Sequence, residues 1–228
     1  GYSLVREALS EADRRHIEAD LLLAAADVIR EHKMGIHNIQ CWKNSAVGLV
    51  GFVTGNQELV RQAIDDPERG FRVQIAKGVT DDGLWYEGSL GYHAYTMQAL
   101  WPLAEAARHA GIDLYSDRYR TLYDAPLALA LPNGDPPGFN DSAGSNLITA
   151  GSLYEIAYVR WQRPAYGRLL SKARRESLQA LLYGVEEVPF GPLIPEESVL
   201  LKAAGFAMLR APETAVAVRF GMHGGGHG

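Results

Sequence analysis

Two stretches near the end of the chain, Val199-Leu-Leu-Lys-Ala-Ala-Gly-Phe-Ala-Met-Leu209 and Thr214-Ala-Val-Ala-Val-Arg-Phe220, decide the fold class. Here the hydrophobic period changes to two, and the second stretch is rich in β-branched residues, which is the pattern of β-strands. Most of the chain before residue 199 has apolar residues at helical spacing. Helices first and strands last predict an α domain followed by a separate β domain.

The helical part begins with a recognisable start signal. Ser10-Glu-Ala-Asp13 fits a capping box and opens a helix that runs to about His32, before Gly35. Further helices are predicted over 42–54, 57–64, 67–77, 92–109, 116–130, 145–159 and 164–182. The segment 131–142 holds three prolines and two glycines and therefore predicts a fixed loop. Antiparallel helices of this modest length favour an α/α toroid over a four-helix bundle.

Composition excludes several classes of protein. The 228-residue chain has a formal net charge of -5, which argues against nucleic acid or an anionic membrane as the main partner. No apolar run reaches the ~18 residues that a membrane span needs, and no secretory signal pattern precedes Ser3. The single cysteine, Cys41, excludes an intrachain disulfide and a multi-cysteine metal site.

The segment 34–45 places the polar side chains of His37, Asn38 and Gln40 near the entry of a helix. Helix N-termini present free amide hydrogens and a positive dipole end, which suit a carboxylate ligand. Asn38 and Gln40 would add neutral donors to such an anion. The alternative is that both residues only cap the helix while Trp42 packs in the core.

The segment 81–95 is dense in aromatic, acidic and glycine residues just before a helix. Trp85 and Tyr86 offer flat surfaces on which a sugar ring can stack. Tyr92 and Tyr95 lie three residues apart on one helical face, so that both hydroxyls can point the same way. The alternative is that tyrosines at this spacing are amphipathic core residues.

The segment 221–228 holds five of the 24 glycines and continues the last predicted strand. Glycines let the backbone approach another surface or adopt positive φ. His223 and His227 are candidates for acid–base chemistry or metal ligation. The alternative is a flexible tail or a tag remnant.

Taken together and in this order, the three segments resemble the heparinase II/III-type polysaccharide lyases, which include alginate and oligoalginate lyases. The resemblance depends on residues 38–46, 82–92 and 220–228 and spans nearly the whole chain. It implies a mainly α fold, with an incomplete α/α toroid as the catalytic domain over residues 1–190. Residues 191–228 would begin an antiparallel β-sandwich domain that this chain contains only in part.

The resemblance also implies roles for single residues. Asn38 matches the position that neutralises the uronate carboxylate, although Ile39 stands where several members have His. Tyr92 matches the catalytic tyrosine, and His227 matches a histidine of the family's His-Gly-His run. The substrate-binding residues expected beside these are His37, Gln40, Trp85, Tyr86, Glu87, Tyr95 and His223.

The implied activity is β-elimination, which removes the C5 proton of a 4-linked uronide, expels the C4 oxygen and leaves an unsaturated uronide. Hydrogen bonds from Asn38 and Gln40 would stabilise the developing enolate. Tyr92 and His227 would act as base and acid, and the C5 configuration decides which of them takes the proton. No cofactor is expected to be required, and a structural zinc in the complete protein is left open, with ligands outside this chain.

The expected partner is an acidic polysaccharide or oligosaccharide, with no nucleic acid and no membrane, and a homodimer is left open. A periplasmic or secreted location is favoured, and a cytoplasmic one suits an oligosaccharide lyase. One alternative is a glycoside hydrolase, which needs two carboxylates such as those of Asp82, Glu87 and Asp141. The other is a glycan-binding module without catalysis. A zinc-dependent enzyme is disfavoured because only His223 and His227 cluster.

Overall fold

The computed structural model describes residues 1–142, 146–193 and 195–221, and the chain divides into two compact units. The first unit comprises Gly1–Gly78 and Ala99–Leu114, and the second comprises Val79–Gln98 and Tyr115–Gly228. The helices are α1 (Tyr2–Val5), α2 (Glu11–His16), α3 (Ala24–Glu31), α4 (Asn38–Thr54), α5 (Gln57–Asp65), α6 (Phe71–Gly78), α7 (Leu90–His109), α8 (Asp117–Leu129), α9 (Ser152–Trp161), α10 (Pro164–Leu170) and α11 (Leu178–Tyr183). The strands are β1 (Val199–Leu201), β2 (Phe206–Ala211) and β3 (Thr214–Arg219).

The predicted order of helices followed by antiparallel strands is confirmed. Strands β1, β2 and β3 form one antiparallel sheet in that order, and every described helix precedes them in the chain. The toroidal arrangement of the helices and a domain boundary near residue 190 stay predictions. None of the described helices is both long and apolar enough to cross a membrane.

The first predicted helix forms, with a change of winding inside it. Ser10 caps it as expected, because the Ser10 hydroxyl accepts the Asp13 amide hydrogen at 3.1 Å. Between α2 and α3 the backbone is π-helical over Ile17–Leu23. The helical run ends at Glu31, one residue before the predicted end.

Helix α4 begins four residues earlier than the sequence predicts, at Asn38 instead of Trp42. His37 has extended backbone angles, and its Nδ1 accepts the Ile39 amide hydrogen at 3.1 Å, so this histidine caps the helix. The prediction failed because histidine is not among the residues that ordinarily cap helices. At the other end the predicted stop is confirmed, since Gly55 has φ +75°.

Glycines allow close packing against α4 in the first unit. A Cβ on Gly51 would lie 2.9 Å from both the Val60 backbone nitrogen and the Val60 Cγ2 atom, so only glycine lets α5 approach this closely. A small apolar cluster of Ala26, Val47 and Leu59 lies beside this contact. Helix α3 thus packs against α4 and α5 through buried apolar surface, and this burial stabilises the contact between the three helices.

The sheet of the second unit buries one face. Phe206 and Met208 of β2 point into an apolar cluster together with Leu84, Leu90 and Leu129. The period of two that identified the strands therefore reflects this one-sided burial.

One predicted strand over 199–209 is in fact two strands with a turn between them. In the turn Gly205 has φ +71°, and a Cβ there would lie 2.0 Å from the Phe220 carbonyl oxygen. This position therefore requires glycine, and the turn that it permits folds β2 back on β1.

The predicted helix over 164–182 is also divided, into α10 and α11. Between them Arg175 adopts φ +48° and donates two hydrogen bonds to the buried Glu155 carboxylate, at 2.7 and 2.9 Å. A third hydrogen bond goes to the Val185 carbonyl at 2.8 Å. The helical pattern of the sequence is therefore overridden by a tertiary ion pair, and Ser177 caps the new helix by accepting the Ala180 amide hydrogen.

Asp82 connects the segment before α7 to the sheet of the same unit. Its Oδ2 accepts the amide hydrogens of Ala203 and Ala204, at 2.5 and 3.1 Å, in the turn between β1 and β2. Backbone groups in this turn have no strand partner, so the carboxylate takes that place.

We predict that Asp82→Ala lowers the free energy of unfolding by about 1–3 kcal/mol, because two amide hydrogens lose a charged acceptor. Its neighbour Asp81 is the matched control, since it is exposed and its interaction among the described residues is an ion pair with Arg118 at 3.4 Å. Asp81→Ala should change the same quantity by less than about 0.5 kcal/mol. Urea unfolding of both variants measures the difference, and equal effects would contradict the role given to Asp82.

Candidate functional site

The predicted site residues belong to both units. His37, Asn38 and Gln40 belong to the first unit, whereas residues 81–95 belong to the second. His223 and His227 lie outside the described residues. Their predicted roles therefore stay predictions.

Asn38 is the first residue of α4 and is almost completely buried. The loop before it is ordered by side chains: His37 caps the helix, and the Gln40 Oε1 accepts the Met34 amide hydrogen at 3.0 Å. Asn38 is thus held in the first turn of a 17-residue helix, where amide hydrogens favour an anion.

Both polar atoms of the Gln40 side chain form hydrogen bonds within the protein. Besides the bond from Met34, its Nε2 donates to the Asn44 Oδ1 at 2.8 Å, and both side chains are buried. The Asn44 amide in turn donates to the Arg69 carbonyl at 2.6 Å. Gln40 therefore supports the loop, and its burial and internal hydrogen bonds argue against the predicted contact with a substrate.

Trp85 lies in the core of the second unit and is only 1% exposed. Its backbone forms an isolated antiparallel bridge with Val79, and this bridge closes the turn that contains Asp81 and Asp82. The indole therefore has no face open to a sugar ring, and the predicted stacking role of Trp85 is withdrawn. Tyr86, whose ring centre lies 5.4 Å from that of Trp85, is only partly buried, and its contact with a sugar stays a prediction.

Helix α7 carries both predicted tyrosines, Tyr92 half-buried and Tyr95 exposed. The helix begins at Leu90, and the Ser89 hydroxyl accepts the Tyr92 amide hydrogen at 3.4 Å, as an N-cap does. Glu87, two residues before this cap, is buried, although the sequence predicted that it would contact a substrate. Tyr92 therefore lies in the first turn of a long helix whose start is defined by a side chain.

His93, next to Tyr92 on α7, has a structural role that the sequence did not predict. The ring is completely buried: Nδ1 accepts the Trp85 amide hydrogen at 3.0 Å, and Nε2 lies 2.7 Å from the Leu122 carbonyl oxygen. A carbonyl only accepts, so Nε2 carries the proton and the ring is neutral with one tautomer. Burial lowers the His93 pKa to about 4. His93 thus joins the segment before α7 to α8.

The proline-rich loop 131–142 also holds the start of α7. Asn140 Nδ2 donates to the Gly88 carbonyl at 2.9 Å, and the Ser142 hydroxyl accepts the Gly91 amide hydrogen at 2.8 Å. The sequence predicted a fixed loop here but not what it contacts. Since Gly91 precedes Tyr92, this loop helps to define where the tyrosine backbone lies.

The described residues contain no cluster of three or more His, Cys, Asp or Glu side chains that could hold a metal ion. The structural zinc left open by the sequence would have its ligands outside this chain. It stays untested.

Known proteins are similar to this chain over the part that contains Asn38 and Tyr92. The sequence model of the alginate lyase family matches residues 6–134, more than half of the 228-residue chain. An alginate lyase of Stenotrophomonas maltophilia strain K279a is 32% identical over 113 residues, which cover 46% of this chain and 15% of that protein. An exo-oligoalginate lyase of Saccharophagus degradans strain 2-40 is 29% identical over 109 residues, which cover 44% of this chain and 15% of that protein. The match thus spans only a small part of the length of these relatives.

We predict that His93 makes stability depend on pH between about 6.5 and 4. An unfolded histidine has a pKa of about 6.5, whereas the folded ring has a pKa of about 4. As pH falls through this window the unfolded chain binds a proton that the folded one does not. His93 therefore contributes stability above pH ~6.5 that is lost toward pH 4, by about 3 kcal/mol in all.

Urea unfolding at several pH values from 7.5 to 4.5 measures this dependence. In His93→Gln the decline should become shallower, whatever the variant's stability at neutral pH. His109→Gln, which changes an exposed histidine at the end of α7, is the control and should keep the wild-type slope. An unchanged slope in His93→Gln would show that His93 is not the group responsible.

Proposed function

Because the chain belongs to the alginate lyase family, we propose that the protein is a polysaccharide lyase acting on a uronic-acid-containing polysaccharide or oligosaccharide. The observation that carries the proposal is the range of the family match, 6–134, which contains both Asn38 and Tyr92. Alginate and oligoalginate, named in the two relatives, are the first substrates to test.

The proposed reaction is β-elimination. The C5 proton of a uronide is only weakly acidic while the neighbouring carboxylate keeps its charge. We assign Asn38 to the neutralisation of that carboxylate, since an amide donates hydrogen bonds to the enolate as charge develops on it. The position of Asn38 in the first turn of α4 supports this assignment, because the amide hydrogens and the positive dipole end of a helix favour an anion there.

Tyr92 is assigned to proton transfer, either from C5 or to the departing C4 oxygen. The cap at Ser89 and the bond from Gly91 to Ser142 support this role, because they define the backbone that carries Tyr92. A positioned general acid or base typically contributes 10²–10⁴-fold to a rate. His227 remains the second proposed acid–base residue, and His223, His37, Tyr86 and Tyr95 remain proposed contacts of the substrate.

The hydrolase alternative is less well supported than the lyase. Hydrolysis needs two carboxylates on either side of the scissile bond. Of the acids considered, Asp82 accepts hydrogen bonds from two backbone amides of the turn between β1 and β2, and Glu87 is buried.

The acidic net charge of -5 implies that a polyuronate is bound in a local cleft and not by a broad charged surface.

The proposal is tested by incubating the full-length protein with alginate, oligoalginate and a glycosaminoglycan. Elimination produces an unsaturated uronide that absorbs in the ultraviolet, whereas hydrolysis produces reducing ends without that absorbance. We expect Tyr92→Phe to lower kcat/KM by at least about 10²-fold, since the transferable proton is lost. Tyr158→Phe on α9, which removes a hydroxyl elsewhere in the same unit, should change kcat/KM by less than about 2-fold.

Reducing ends without new absorbance would contradict the lyase and favour a hydrolase. Binding of the polymer without either signal would favour a glycan-binding module. Full lyase activity in Tyr92→Phe would leave β-elimination in place and remove Tyr92 from its mechanism.

A further inference from the structure

We infer that Gln74 is a positioning residue for Asn38, a role that rests on the function proposed for Asn38. Gln74 lies on α6 and is completely buried. Its Nε2 donates to the carbonyls of Gly35 and Arg69, each at 3.0 Å. Its Oε1 accepts the His37 amide hydrogen at 3.1 Å and lies 3.7 Å from the Cys41 sulfur.

These contacts use the full hydrogen-bonding capacity of the side chain. A glutamine amide has two hydrogens to donate and two lone pairs that accept. Reversing the amide would place its oxygen against the two carbonyls and its nitrogen against the His37 N–H, so only one orientation is compatible with the surroundings. Gln74 is therefore fixed in position as well as buried.

The groups that Gln74 holds are those that set the start of α4. Gly35 and His37 lie on either side of a single residue, directly before Asn38 in the chain. His37 is also the N-cap of α4, so the position of its backbone determines where the helix begins. Without Gln74 the Gly35 carbonyl and the His37 amide would lose their described side-chain partner, and the turn that places Asn38 would lose its anchor to α6.

Two further buried amide side chains, those of Gln40 and Asn44, extend the network. Gln40 accepts the Met34 amide hydrogen, and Asn44 donates to the Arg69 carbonyl, the same oxygen that accepts a hydrogen bond from Gln74. The backbone before Asn38 is thus held at residues 34, 35 and 37. A displacement of about 1 Å in a group that contacts the reacting substrate can cost on the order of 10²-fold in rate.

The experiment is a double-mutant cycle in the full-length protein, measured as kcat/KM for the oligouronate that it cleaves. Asn38→Ala should lower kcat/KM by about 10²–10³-fold, and Gln74→Met by on the order of 10–10²-fold. If Gln74 acts through Asn38, then Gln74→Met introduced into Asn38→Ala should cost less than about 3-fold more. A structural role unrelated to Asn38 would instead give multiplied effects and would overturn the inference.

Gln62→Met on α5 is the matched control, because its Oε1 is buried but has no hydrogen-bond partner among the residues that the structure describes. It should leave kcat/KM within about 2-fold of wild type. An active wild type that is insensitive to Gln74→Met would overturn the role of Gln74 alone. A wild type without lyase activity would overturn the proposed function, and with it this role.

Gln74→Met leaves buried backbone groups without partners, so its folding must be checked separately. Gln74→Glu keeps the acceptor for the His37 amide hydrogen but places an oxygen against the carbonyls of Gly35 and Arg69, so its effect on kcat/KM should be at least as large as that of Gln74→Met. Hydrogen exchange of the peptide spanning residues 34–41 in the wild type needs no variant. Slow exchange there supports the inference, and exchange as fast as in exposed loops would overturn it.

Discussion

In the loops before α4 and α7, buried side chains form hydrogen bonds with backbone groups of Met34, Gly35, His37 and Trp85. An unpaired buried amide or carbonyl costs about 1–3 kcal/mol, so these loops cannot be ordered without such partners. Gln74 serves the first loop, and His93 serves the second. Both predicted functional residues, Asn38 and Tyr92, follow directly on a backbone that is fixed in this way.

The two loops differ in how they respond to conditions, because their supporting side chains differ chemically. Gln74 does not titrate, so the hydrogen bonds that its side chain forms with Gly35, Arg69 and His37 do not depend on a proton of its own. His93 accepts at Nδ1, and protonation of that nitrogen would remove the bond from Trp85. Burial keeps the His93 pKa well below neutrality, so the bond is intact at neutral pH. The support of the Tyr92 segment is therefore sensitive to acid.

The function proposed for the protein depends on these fixed positions more than on unusual residues. An asparagine and a tyrosine are weak catalysts in water, and their value in an elimination comes from being held where charge or a proton appears. The family match covers both residues, and the alginate-lyase part of the resemblance seen in the sequence is confirmed. A relation to heparinases and to glycosaminoglycan substrates stays a prediction.

The sequence by itself determined the order of helices and strands, the Ser10 cap, the Gly55 stop and the family, because these depend on local spacing and on residue types. It did not reveal that Trp85 is buried, that Gln40 supports a loop or that Arg175 divides a helix. Those outcomes depend on partners far away along the chain, such as Glu155 for Arg175. Gln74 and His93 look like ordinary helical residues in the sequence, and only the tertiary structure brings their polar atoms to unpaired backbone groups, where hydrogen bonding decides their role.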